Sequence, residues 1–126
     1  ISGQDTAANS IEFNTAGTKL FVLGQSDDKV SEYALSTAFD LSSASFTDAF
    51  DISSQEIQPY GLAFNNDGTK MYVTGWIGDD INEYTLSIGF DVSTAAYSQN
   101  FSVSAQATKP SAIQCNNTGN TTDGRT

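Results

Sequence analysis

Fifteen carboxylates and no histidine bound the chemistry open to this 126-residue chain. Without an imidazole there is no base for a Ser-His-Asp or Cys-His constellation and no His ligand for zinc. The single cysteine, Cys115, rules out an internal disulfide. It reads first as a buried, inert thiol, because a core Phe holds its place elsewhere in the repeat described below, and second as a reactive one. The carboxylates offer more. Asp27 and Asp28 share one loop, and Asp79 and Asp80 share another. Clustered loop carboxylates suit Ca²⁺, which takes about six to eight oxygens. No EF-hand spacing accompanies them, so they read first as solvated loop charges and second as a Ca²⁺ site completed by a neighbouring unit. No other cofactor is suggested.

Glu32 stands beside Tyr33 and Glu83 beside Tyr84. A recurring carboxylate of this kind is either a ligand-binding set around an axis or, more simply, a pair bonding across strands. Glycoside hydrolysis needs two acids facing one cleft, which one acid per repeat supports poorly. Trp76, with Ile77 beside it, breaks the repeat on a loop. It is either a surface anchor for a sugar or protein, or a plug between units. Asn100, Asn116 and Asn120 head N-glycan acceptor triplets.

What positions these residues is a duplication. Phe13 and Phe64, Gly17 and Gly68, Glu32-Tyr33 and Glu83-Tyr84, and Phe39-Asp40 and Phe90-Asp91 are each 51 residues apart, and 20 of the 51 aligned pairs are identical. In Gly61 to Gly75, an apolar run and a β-rich run flank Asn65-Asn66-Asp67-Gly68, a tight reversal, so the stretch predicts a β-hairpin. The first unit reads as strands Ile11 to Phe13, Lys19 to Gly24, Val30 to Ser36 and Phe46 to Ser53. The second reads as Tyr60 to Asn65, Lys70 to Gly75, Asp80 to Ser87 and Tyr97 to Ser104. Leu20 to Leu23 is apolar on consecutive residues and should be covered on both faces. Phe39 should plug the core, followed by a turn or one 3₁₀ turn. In the fourth strand Phe46, Asp48, Phe50 and Ile52 should share one side.

Four short strands per unit and a doubly covered inner strand predict an all-β protein of two four-stranded antiparallel propeller-type blades, with partial units at both ends. Residues 1–9 form the tail of a preceding blade, 10–60 the first blade and 61–111 the second. Residues 112–126 hold the first strand of an incomplete blade, Ala112 to Asn116, and a mobile tail, because Thr121 to Arg125 has no apolar residue to cover.

At Asn65 to Gly75, NNDGTKMYVTG, the chain resembles the YVTN-type β-propeller repeats of surface-layer and other extracellular proteins. It also resembles the tandem repeats of phage, algal-virus and environmental bacterial proteins that continue with segments like Glu83 to Ser87 and Phe90 to Ala95. The resemblance covers nearly all of residues 10–111. It implies a closed ring of several blades, which two blades cannot form, and it implies little about function.

A net charge of −10 with five scattered basic residues argues against nucleic acid. No apolar run nears the ~18 residues of a membrane span. Acidity with abundant Ser, Thr, Asn and Gly fits an extracellular, cell-surface or virion-surface location. Unpaired strand edges at both ends predict homo-oligomerisation, head to tail, into a ring or a filament. The leading expectation is a non-catalytic structural protein that self-assembles. The alternative is a piece of a larger propeller acting as an adhesin or as a receptor- or carbohydrate-binding module. A metal-dependent propeller hydrolase is the least supported.

Overall fold

Among the described residues eight strands form, arranged as two copies of one pattern. The computed structural model describes residues 7–76, 79–103, 105 and 112–115. The first sheet holds β1 (Ala8–Phe13), β2 (Lys19–Gly24), β3 (Lys29–Leu35) and β4 (Ala44–Asp51). The second holds β5 (Pro59–Phe64), β6 (Lys70–Gly75), β7 (Asp80–Leu86) and β8 (Ala95–Ser102). Within each sheet the strands lie in chain order and every neighbouring pair is antiparallel. This is the expected all-β pair of four-stranded units.

The first hairpin of each unit closes as its turn residues dictate. Asn14 Oδ1 accepts from the backbone N–H groups of Thr18 and Lys19, and Asn65 Oδ1 accepts from that of Lys70. Gly17 and Gly68 take φ of 74° and 73°, where a side chain is strained. Above each glycine lies a phenylalanine that is itself left-handed, Phe39 and Phe90, both at φ 59°. A left-handed residue with a Cβ costs about 1–2 kcal/mol. Backbone bonds from Phe39 N–H to the Gly17 carbonyl and from Phe90 N–H to the Gly68 carbonyl hold that geometry in both copies. The chain then enters the 3₁₀ turns Leu41–Ser43 and Val92–Thr94, capped by the carboxylates of Asp40 and Asp91.

Four expectations need correction. β1 starts at Ala8, three residues before Ile11, because the Asn9 amide is bonded: its Nδ2 donates to Gln25 Oε1 and to the Pro59 carbonyl. Phe46 and Phe50 do not share a side. Pairing steps from Glu32↔Asp48 to Tyr33↔Phe46, so Thr47 is an extra residue, and such a bulge inverts the alternation beyond it. Phe46 therefore meets Tyr33 on one face, while Phe50 meets Tyr84 of the second sheet across the other. Phe39 is not a core plug. It rests on Phe13 with ring centres 5.1 Å apart and is 59% exposed. Finally, Ala112 to Cys115 runs beside Gly61 of β5 without joining a sheet; Asn116 and the expected tail lie outside the described residues.

The core sits between the sheets. Phe21, Leu23 and Val30 of the first sheet pack with Leu62, Met71, Val73 and Tyr84 of the second. Leu20, Val22, Tyr33 and Leu35 form a smaller cluster on the other face of the first sheet. The inner strand is thus buried on both sides, as its consecutive apolar residues require.

Candidate functional site

The two sheets meet face to face, and the seam between them is where the repeated polar residues converge. Phe90 enters from the second sheet and lies against Phe21 and Phe64, at centroid distances of 6.1 and 5.4 Å. Lys19 Nζ is 3.0 Å from Glu32 Oε2 and donates to the Phe90 carbonyl at 2.7 Å. Glu32 Oε1 accepts from the Val92 N–H at 3.0 Å. One ion pair therefore holds the 3₁₀ turn of the second unit onto the first. Glu32 and Glu83 do pair across strands with Lys19 and Lys70, as the simpler reading expects. The link across the seam was not legible, since it depends on which face meets which.

The seam also gathers three carboxylates that the sequence does not associate. Oxygens of Glu32, Asp48 and Asp91 lie within 4.8 Å of one another. Both Glu32 oxygens already serve Lys19 and Val92. Asp91 Oδ1 accepts from the N–H and hydroxyl of Ser93. A cation would have to compete with those partners.

The four loop aspartates are placed differently from one another. Asp28 and Asp79 occupy equivalent left-handed turn positions, at φ 54° and 51°. Their carbonyls accept from the N–H groups of Ile52 and Val103. Asp27 is exposed. Asp80 is buried on β7, bonded by the amides of Asn82 and Asn100. Asn100, a glycan candidate, is thus exposed on β8 with its amide engaged at 2.7 Å. Asn116 and Asn120 lie outside the described residues, as does Ile77. Trp76 stacks on Tyr60, with ring centres 4.4 Å apart and planes at 23°. Its backbone N–H donates to the Gln58 carbonyl.

Each sheet also presents a face away from the seam. On the first, a groove of about 440 Å³ is lined by Ile11, Leu20, Val22, Tyr33, Leu41, Ala44 and Phe46. Ile11, Phe39 and Leu41 there are 54%, 59% and 60% exposed. On the second, a cavity of about 360 Å³ is lined by Tyr72, Ile81, Glu83, Phe101, Ile113 and Cys115, among others. Burial pushes the Cys115 thiol up, with Glu12 adding to the shift, so the thiolate is disfavoured. Burial raises Tyr72 as well, and Glu83 and Cys115 add to that shift. Sequence reasoning missed these two outward faces, which depend on how the strands pair.

No family model matches the chain, and no curated protein matches it. Among solved structures it is similar to the β-propeller domain of Cps50 (Swd1) from Myceliophteria thermophila. That match has a TM-score of 0.60 at 12% identity, over 85% of this chain and 31% of that one. Fold and seam together define propeller-type blades. The chain spans about a third of the length of the propeller it matches.

Proposed function

We propose that this chain is a non-catalytic structural protein of an extracellular, cell or virion surface, whose blades stack head to tail on further copies. The observation carrying this reading is that both outward faces remain apolar and open. Ile11, Phe39 and Leu41 lie on one, and Phe101, 68% exposed, on the other. Exposed patches of this kind mark association surfaces. In repeat proteins, units draw stability from neighbours, and unsealed ends invite another unit. A chain with one cysteine and no histidine has few routes to nucleophilic catalysis, which agrees with a structural role. The extracellular assignment and the YVTN-type relationship rest on composition and on the motif Asn65 to Gly75. Electron microscopy of concentrated protein tests the proposal: rings or filaments support it, and isolated small particles count against it.

A second reading is favoured by Trp76. The Tyr60–Trp76 stack departs from the repeat, where Gln25 stands at the equivalent place. Flat aromatic surfaces of this type receive sugar rings or protein anchors. In this reading the chain is part of a larger adhesin or carbohydrate-binding propeller, and further 51-residue units lie in its reading frame. Sequencing the flanking DNA decides between the two.

A further inference from the structure

The seam inside the chain is a template for a joint between chains. Shifting its residues by the 51-residue offset turns Lys19, Phe21 and Glu32 into Lys70, Tyr72 and Glu83 on the open face of the second sheet. The reverse shift turns Phe90 and Val92 into Phe39 and Leu41 on the open face of the first. Each open face therefore carries one half of a contact that the molecule already makes once internally.

The two copies of the contact differ as a closed joint and an open one should. Lys19 and Glu32 are 3.0 Å apart, with side chains 31% and 3% exposed. Lys70 and Glu83 are 3.6 Å apart, with side chains 46% and 16% exposed. Val92 is fully buried and its N–H bonded to Glu32, while its counterpart Leu41 is 60% exposed. What separates the pairs is the presence of a sheet seated on the first.

We propose that a second copy of this chain seats Phe39 and Leu41 against Tyr72 and Glu83, reproducing the internal seam as a heterologous joint. The proposal rests on the self-association put forward above and adds which surfaces meet. Lys70 Nζ then donates to the carbonyl of Phe39 of the second copy. Glu83 accepts from the N–H of Leu41 of the second copy. A charge-assisted pair with two backbone bonds fixes register as well as adding affinity. Because the two faces differ, the joint repeats head to tail, closing into a ring or running on as a filament.

The seat is partly held by the chain itself. Ile113 and Cys115 line the cavity beside Tyr72 and Glu83. They are the counterparts of Leu62 and Phe64, which fill the internal seam. Ile11 and Phe13 of an incoming copy are counterparts of the same pair. Phe13, already packed against Phe39, has more apolar surface to bury than Cys115 and displaces it. Association thus frees the Cys115 thiol.

A complementation experiment tests this. Phe39→Asp blocks the first face at an exposed position whose left-handed backbone aspartate tolerates. Glu83→Arg blocks the second face beside Lys70. Each variant alone should associate on the order of 30-fold more weakly than the wild-type chain, or worse. An equimolar mixture should form a one-to-one dimer through the remaining intact faces, and Cys115 of the Phe39→Asp partner should become alkylated faster. Circular dichroism checks that each variant is folded, and Leu41→Asp replaces Phe39→Asp if it is not. A Phe39→Asp chain that still self-associates, or a mixture that stays monomeric while the wild type associates, overturns this joint and leaves self-association standing. A wild-type chain that stays monomeric overturns both.

Discussion

The ammonium of Lys19 sits between two acceptors on opposite sides of the seam, the Glu32 carboxylate of its own sheet at 3.0 Å and the Phe90 carbonyl of the next at 2.7 Å. Its counterpart Lys70 has the first of these partners at 3.6 Å and lies on an open face. One ion pair, written twice, is therefore closer and more buried in one place than in the other.

That difference sets unequal costs for the same substitution. Glu32→Ala leaves the Val92 N–H without its acceptor and Lys19 without its counter-charge, and should destabilise the fold by about 2–3 kcal/mol. Glu83→Ala, at a partly exposed pair, should cost less than about 1 kcal/mol. Urea unfolding of both variants in dilute solution measures the difference.

Gly17 and Gly68 separate in the same way. A Cβ at either meets the phenylalanine above it, Phe39 or Phe90, and the positive φ alone costs about 1–2 kcal/mol. Phe39 can swing into solvent, whereas Phe90 is held against Phe21 and Phe64. Gly68→Ala should therefore lower the melting temperature clearly more than Gly17→Ala. Equal losses would mean that Phe90 is no better anchored than Phe39.

Tyr84 carries a hydroxyl that is buried and finds no hydrogen-bond partner among the described residues. Desolvation pushes its ionisation well above the ordinary tyrosine value, with Tyr97, Asp80, Glu56 and Asp51 adding to the shift. Tyr84→Phe removes the unsatisfied group and keeps the ring against Phe50 and Tyr97. It should be neutral or stabilising by about 1 kcal/mol in chemical denaturation. A loss of stability would reveal a partner for the hydroxyl.

Acid should weaken the turns first. Hydrogen bonds from Ser42, Ser53 and Thr69 hold the carboxyls of Asp40, Asp51 and Asp67 below the usual range. A depressed folded value adds stability above the ordinary carboxylate range, and this is lost as pH falls through the folded value. Glu12, raised by burial, works in the opposite sense and gains as pH falls. With three groups against one, the melting temperature should drop as pH is lowered below about 4. Asp67→Asn should flatten that decline.

The duplication, the hairpins and the inner strands were legible because each depends on neighbours in sequence. Asn14 and Asn65 reach only a few residues along the chain to close their turns. The fourth strands were legible in place but not in facing, since the extra residue Thr47 shows only once Glu32 and Tyr33 are paired. Phe39 reads as core from its apolar bulk, a place that only its twin Phe90 takes; what differs is the sheet each one faces. The carboxylates of Glu32, Asp48 and Asp91 come together through a contact between units, which no local pattern announces. The loop aspartates were conspicuous in sequence, yet Asp28 and Asp79 are tied into turns and Asp80 to two amides.

Sedimentation equilibrium over a concentration series, from the low to the high micromolar range, tests the central claim most directly. Open faces that repeat a buried seam predict an average mass that rises with concentration above that of the 13.4 kDa chain. A mass fixed at the single chain throughout the series would contradict it.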